Sequence, residues 1–468
     1  MDDDFLAEGL RAVPGAAAPG DHLQTLWQLW LPGHELARGA DPFHDPYSFQ
    51  PEAEPRVNFA GWPFGLLFWP LEALLGAVGA WNAFLLLGYV GAGGLTFLWL
   101  RSLGLATGPA LVGGLAFALA PYRAVQAGAG HLLAWIAMLL PLSLWAWERR
   151  WYVLSAAALA SIPLSGQVHL ALGAIPFFLL YALLRGGSRR SAGISVATAV
   201  GAGLLVWALS IRGSIGEARS FGEVERYSVE LADFVARDRR HGLEPFVLVG
   251  WLTPVLAIAG VVLLRNKLAL ALGLGALVPS GLALGANVPG YEPLWRHTPG
   301  LHSTRVPARL LPIACLAVAA LAAFAVARLR RRGAAAAALV LVALDLRYGV
   351  TAVRPTPADE NNSVYAQIRR EPAGRMLELP VYTPDRQESS VYLYYAMQAP
   401  RERPAGYSTV APKAAIAVLR RLRPCPQQSQ LAQVGVRLLV VYGRRVCPIA
   451  GPLILQDGPI GVYASSGR

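Results

Sequence analysis

Ten apolar stretches succeed one another between residues 81 and 350, each 16 to 21 residues long. A helix needs about 20 residues to cross the hydrocarbon core of a bilayer, so this succession reads as a mainly α, polytopic helical membrane protein. The expected spans are 81–100, 107–122, 131–148, 151–166, 168–185, 192–212, 247–264, 268–286, 308–328 and 333–350. Gly166 lies between Pro163 and Pro176, which predicts a kinked or partly re-entrant passage there. Composition points the same way. Charged residues are 15% of the chain and hydrophobic residues 54%, against roughly 25% charged in soluble domains.

Lys and Arg number 41 against 29 Asp and Glu, a net charge of +12. In a membrane chain this excess reports loop charge and not nucleic-acid binding. Alternate short loops hold Arg101; Arg149 and Arg150; Arg185, Arg189 and Arg190; Arg265 and Lys267; and Arg328, Arg330, Arg331 and Arg332, 12 cations in all. The opposite short loops hold Arg123, Arg296 and Arg305. The positive-inside rule assigns the first set to the cytoplasm and puts the N-terminal segment and the tail outside.

Three regions follow. Residues 1–80 read as an outer first loop with interfacial helices, residues 81–350 as the transmembrane domain and residues 351–468 as a small extracytoplasmic α/β domain. In the first, 22–38 carries Leu23, Leu26, Trp27, Trp30 and Leu31 on one face, a pattern suited to a helix in the membrane interface. The apolar run 62–75 contains Pro63, Pro70 and Glu72 and is too short to span. Ten acids and no apolar run within residues 1–60 predict that a first span precedes the segment. In the tail, 376–379, 391–395, 437–442 and 461–463 read as strands and 411–422 as a helix. Of the three cysteines, Cys315 lies in a span and is expected as a buried thiol. Cys425 and Cys447 lie in a compartment where disulfides persist. A bridge between them would close a loop of about 20 residues and stabilise by roughly 3 kcal/mol.

Ionisable and polar groups gather on the outer side: Asp21 and His22, Arg123, His131, Gln167 and His169, Glu223, Glu225, Arg226 and Tyr227, then Arg305 and Arg309. Each has a plain reading, such as an N-cap for Asp21 or a helix-end cation for Arg123. Together, carboxylates, His and Arg on one membrane face suit a site for an anionic lipid-linked substrate. Mid-helix charge is sparse, with Asp345 the exception to watch.

The residues resemble the GT-C superfamily of polytopic glycosyltransferases, and most of all the YfhO-like bacterial membrane-protein group. The resemblance runs through Gly20-Asp21-His22-Leu23-Gln24-Thr25-Leu26-Trp27, Asp41-Pro42-Phe43, Asp45-Pro46-Tyr47, Ala120-Pro121-Tyr122-Arg123 and Gly130-His131-Leu132. It continues through Glu225-Arg226-Tyr227-Ser228, Arg305-Val306-Pro307-Ala308-Arg309, Leu377-Glu378-Leu379-Pro380, Gly406-Tyr407-Ser408 and the run from Val434 to Val441. It implies a bacterial inner-membrane enzyme that moves a sugar from a polyprenyl-phosphate donor to a lipid-linked or cell-envelope acceptor. In that reading Asp21 is the general base, Arg123 and His131 stabilise the departing phosphate, and His22, Gln167, His169, Glu225, Tyr227 and Arg305 bind substrate. No metal ligand is assigned. Asp21, Asp41 and Asp45 offer oxygens that suit Mg²⁺ or Mn²⁺, although Asp-Pro turns account for the last two. The rival readings are a transporter or flippase of lipid-linked glycans and a non-catalytic envelope assembly protein.

Overall fold

All ten apolar stretches contain helix, but of unequal length. The computed structural model describes residues 19–51, 57–238, 242–329, 333–347, 360–423, 425–443, 451–458 and 460–465. Arg330, Arg331 and Arg332 of the expected cytoplasmic loops lie outside those residues, as does Cys447. Gly65–Ser102, Val168–Arg185, Arg189–Ile211 and Pro307–Arg328 are long and apolar enough to cross a membrane. Thr107–Ala118 and Pro121–Gly128, bent by 44°, make a fifth if the pair is one span. The shorter apolar helices are Leu133–Glu148, Tyr152–Leu164, Leu252–Leu264, Lys267–Ala283 and Ala334–Leu346.

The chain forms two units. The first combines Met1–Asn82, Leu209–Glu217 and Pro355–Arg468, and the second Ala83–Ala208 and Ala218–Arg354.

The second unit is built around Leu311–Arg328, against which Thr107–Ala118, Leu252–Leu264 and Lys267–Ala283 pack. Small residues permit this. A Cβ on Gly260 would stand 2.1 Å from the Leu321 carbonyl oxygen, and one on Gly114 2.7 Å from that of Gly93. Helices in an apolar medium gain most from such close backbone approach. Between Leu139–Glu148 and Tyr152–Leu164, Ser143 Oγ donates to the Ser155 carbonyl at 3.0 Å and Ser155 Oγ returns a bond to the Ser143 carbonyl at 2.9 Å.

In the first unit, helix Asp21–Ala37 carries the expected apolar face, but that face is turned into protein. Trp27 and Trp30 are 2% and 7% exposed, so their rings are packed inside the unit and do not lie on its surface. Trp69, from the 65–75 limb, comes so close that a Cβ on Gly33 would meet its side chain at 2.5 Å. At Gly76 (φ 70°) the helix Gly65–Ser102 breaks, a conformation that glycine adopts without steric cost. Beyond the break the Glu360 carboxylate accepts from the Val78 backbone N–H at 2.6 Å.

The tail of this unit has a four-stranded sheet in the order β1-β2-β4-β3, with β1 Arg375–Leu379, β2 Val436–Tyr442, β3 Leu453–Asp457 and β4 Ile460–Ala464. β1 and β2 are parallel, with Leu377 opposite Leu439, and the other pairs are antiparallel. The expected strand at 391–395 is instead the helix Ser390–Gln398. Its five central residues, Val391 to Tyr395, are all buried, and a short continuous apolar run is compatible with either element. Packing on all sides decided it. Cys315 is a buried free thiol and Cys425 is disulfide-bonded.

Candidate functional site

Asp21 opens the helix Asp21–Ala37. Gly20 occupies the N-cap position, so Asp21 is the first residue of the helix and not its N-cap. The tail engages this turn instead. The Tyr407 hydroxyl donates to Asp21 Oδ1, Gln24 Nε2 donates to the Tyr407 carbonyl at 3.0 Å, and the Gly20 N–H donates to Ser390 Oγ at 3.0 Å. The His22 ring folds back so far that a Cβ on Gly20 would stand 2.6 Å from Nδ1. His22 Nε2 is buried and has no hydrogen-bond partner among the described residues. Burial lowers the pKa of His22, against the opposing pull of the Asp21 charge, which keeps the ring neutral beside the carboxylate.

Near the other end of the same helix, three groups converge on the Tyr47 hydroxyl. It donates to Glu35 Oε1 at 2.8 Å, accepts from Arg38 Nη1 at 2.7 Å and lies 3.1 Å from His34 Nε2. Glu35 is buried. Sequence reading missed this network because a helix-borne Glu and a loop Tyr share no local pattern.

The remaining expected residues belong to the second unit. Arg123 was read as the end of a span; it sits instead in the following short helix, Pro121–Gly128. Its Nη1 donates to the carbonyls of Phe117 and Ala118 at 2.9 and 3.1 Å, and its Nη2 to that of Ala134 at 2.6 Å. Arg123 is 3% exposed. It therefore satisfies the last carbonyls of Thr107–Ala118, which have no intrahelical donor. His131 Nδ1 is bonded to Gln126 Oε1.

A second group forms around His169, at the start of Val168–Arg185. The Arg305 backbone N–H donates to His169 Nε2 at 3.1 Å, so that nitrogen carries the lone pair and Nδ1 the proton. The charges of Arg309, Arg305 and Arg219 all reach this ring. Arg219 and Arg305 each approach Glu223 Oε1 at 3.9 Å. Arg309 Nη2 donates to Glu244 Oε1 at 2.6 Å, and the Arg305 guanidinium lies 5.7 Å from the Tyr227 ring centre. Of the expected residues, the structure thus brings His169, Arg305, Tyr227, Glu223 and Arg309 together and adds Arg219 and Glu244. Gln167 precedes the helix without capping it, and Glu225 is exposed.

Asp345, the charge flagged within a span, is engaged at both oxygens. Oδ2 accepts from the backbone N–H groups of Trp251 and Leu252 at 2.8 Å each, and Oδ1 accepts from Arg237 Nη2 at 3.1 Å. It caps Leu252–Leu264. Asp41 and Asp45 are likewise turned to backbone: Asp41 Oδ1 accepts from Phe43 N–H, and Asp45 Oδ1 from Tyr47 and Ser48 N–H. Among the described residues no three His, Cys, Asp or Glu side chains gather as a metal-binding group. The donor set for Mg²⁺ or Mn²⁺ considered above does not fit, and no step below uses a metal.

No family model and no curated protein matches the sequence. Solved structures match the fold. The arabinofuranosyltransferase AftD from mycobacteria superposes with a TM-score of 0.58 at 16% identity, over 100% of this chain. The chain spans 42% of the length of that protein. ArnT from Cupriavidus metallidurans, solved bound to undecaprenyl phosphate, superposes with a TM-score of 0.53 at 13% identity, over 99% of this chain and 97% of its own. Both are membrane glycosyltransferases of the GT-C type. The fold is theirs.

Proposed function

We propose that this chain is a GT-C glycosyltransferase of the YfhO-like group, with its active face and its tail on the outer side of a bacterial inner membrane and the ten apolar helices as its membrane domain. It takes a sugar from a polyprenyl-phosphate donor to a hydroxyl of a lipid-linked or envelope glycan. The observation that carries the reading is Asp21: a carboxylate at the head of a helix, flanked by a neutral His22, in a fold that superposes along its whole length on glycosyltransferases.

In the proposed step Asp21 takes the proton of the acceptor hydroxyl as its oxygen attacks the anomeric carbon. The bond from that carbon to the phosphate oxygen breaks, and its electron pair leaves on the phosphate. The displacement inverts the anomeric centre. The departing phosphate gains negative charge, which calls for fixed donors. In the second unit, Arg219, Arg305 and Arg309, gathered around His169 with Glu223 and Tyr227, are donors of that kind. Arg123 acts at one remove by tying Thr107–Ala118 to the segment around Ala134, and His131 lies beside it in sequence. The engagement of both Asp345 oxygens in capping Leu252–Leu264 favours an enzyme over a transporter, whose intramembrane charges face the substrate path.

A panel of undecaprenyl-phosphate sugars, each labelled in the sugar, tests the activity in membranes that carry the protein. The wild type transfers label from at least one donor. Asp21→Asn, at equal expression, loses it by roughly a hundredfold or more, as removal of a general base requires; transfer by this variant at the wild-type rate rejects the assignment. The orientation has its own check. Impermeant thiol reagents applied outside should label single cysteines in the tail and spare one at Arg149, and the reverse pattern overturns the outer-face reading.

A further inference from the structure

We infer that Tyr407 is a positioning residue for Asp21, so that the C-terminal sheet domain is part of the catalytic apparatus and not an appended binding module. This rests on the reading of Asp21 as the general base.

The tail meets the first turn of Asp21–Ala37 at three successive points: Ser390 at Gly20, the Tyr407 hydroxyl at Asp21, and the Tyr407 carbonyl at Gln24. Two of them hold the backbone and the flanking side chain. The third bonds the carboxylate itself. Tyr407 is in turn locked in place. It is 7% exposed, and the next residue, Ser408, donates its N–H to the Pro384 carbonyl at 2.9 Å. The preceding Gly406 leaves room for the buried Phe49 ring, since a Cβ there would stand 2.8 Å from Cζ. Phe49 and Gln50 N–H groups donate to the carbonyls of Ala405 and Arg403 at 3.4 and 2.9 Å. The hydroxyl is therefore presented from a fixed frame.

A donor on one carboxylate oxygen has two effects. It favours the charged, proton-accepting form, and it fixes the rotamer so that the remaining lone pairs point in one direction. His22, on the same turn, is a titratable group that feels the Asp21 charge, and burial lowers its pKa. Neither effect requires Tyr407 to touch substrate. The task belongs to its hydroxyl, not to its ring.

Tyr407→Phe keeps the ring and removes the donor. With undecaprenyl-phosphate sugar as donor, kcat should fall roughly ten- to hundredfold, the cost of a misaligned catalytic group, with KM unchanged. The acid limb of the kcat–pH profile should move up by about one unit. An activity-free readout accompanies it: the ¹³Cγ titration of Asp21 in the full-length protein in nanodiscs, its signal assigned by loss in Asp21→Asn. The midpoint should rise by the same unit. Ser390→Ala, which releases Gly20 but leaves the hydroxyl bond, should leave the midpoint where it is. An unmoved midpoint and kcat in Tyr407→Phe overturn the inference, as does an equal shift in Ser390→Ala, which would mark mere tethering. Undiminished transfer by Asp21→Asn, by contrast, rejects the general-base reading and leaves the Tyr407 titration result to stand or fall by itself.

Discussion

The sheet-bearing tail and the helical unit place their ion pairs in opposite ways. In the tail, Glu378 on β1 and Arg403 are both essentially fully buried, their side chains 0% and 1% exposed and 2.6 Å apart. Tyr392 gives its carbonyl to Arg403 at 3.0 Å, and the hydroxyls of Tyr365 and Tyr442 bond each other close by. Burial pushes the Glu378 carboxyl up from its ordinary value, and the Arg403 charge only opposes that shift. In the helical unit the ion pairs stay at helix ends and keep some water. Arg309–Glu244, Arg237–Asp345 and Arg185–Glu148 all retain partial exposure. A sheet domain has a core in which backbone carbonyls and tyrosines can solvate a charge pair. An apolar helix offers none at its midpoint, because its own backbone groups are already paired. These ion pairs of the helical unit are therefore found at its rim, where a site can use them.

The sharpest way to break this comparison is to remove one charge from each region. Glu378→Gln or Arg403→Met strands the partner in a dry core and should cost about 3–5 kcal/mol. The loss is read as faster hydrogen exchange across β1 and β2 in the full-length protein. Arg309→Ala should cost no more than about 1 kcal/mol, the usual range for pairs with access to water, read from the exchange of Leu311–Arg328. Equal losses at the two sites would refute the contrast. A double variant, Glu378→Leu with Arg403→Met, should recover much of the loss, since a well-packed apolar pair replaces a buried ion pair at little cost.

A smaller effect sharpens it at a half-buried site. Burial, helped by the Arg38 charge, lowers the pKa of His34 from 6.5 to about 4. The folded state thus binds fewer protons than the unfolded state between those values. Stability from this group is complete above pH 6.5 and declines as pH falls toward 4. Hydrogen exchange in Asp21–Ala37 should accelerate over that window, and His34→Phe, which keeps a ring against Trp30 (4.0 Å between centroids in the native pair), should flatten the dependence. Exchange that is insensitive to pH between 6.5 and 4 in the wild type would show that His34 does not stay neutral on folding.

Much of the architecture was legible as periodicity. Apolar runs marked the long helices of the second unit, one of them, Val168–Arg185, to the residue, but not the short helices Phe221–Arg226 and Tyr291–His297. The 22–38 pattern named the apolar face of Asp21–Ala37, though its burial in protein could not be read from it. The runs ending in Leu379 and Tyr442 announced β1 and β2. β3 escaped because Leu453–Asp457 is a largely exposed edge strand without alternation. The helix Ser363–Arg370 escaped although Asn362 announces it, its Oδ1 accepting from the N–H groups of Val364 and Tyr365 at 3.1 and 3.4 Å.

The sequence by itself determined where the long apolar helices run and which polar residues stand at their ends, because spacing along one chain is enough to define a face or a terminus. It could not say which partner each polar residue takes. Arg123 and Arg305 look alike in sequence, each a cation near a proline at a helix end. Only the folded chain turns Arg123 onto three carbonyls and gathers Arg305 with Arg219 and Arg309 around His169. Likewise Asp21 reads as a helix cap until Tyr407, 386 residues away, claims its carboxylate. A hydrogen bond is decided within about 3 Å, and contacts across such chain separations are set by packing, which leaves no local trace in the sequence.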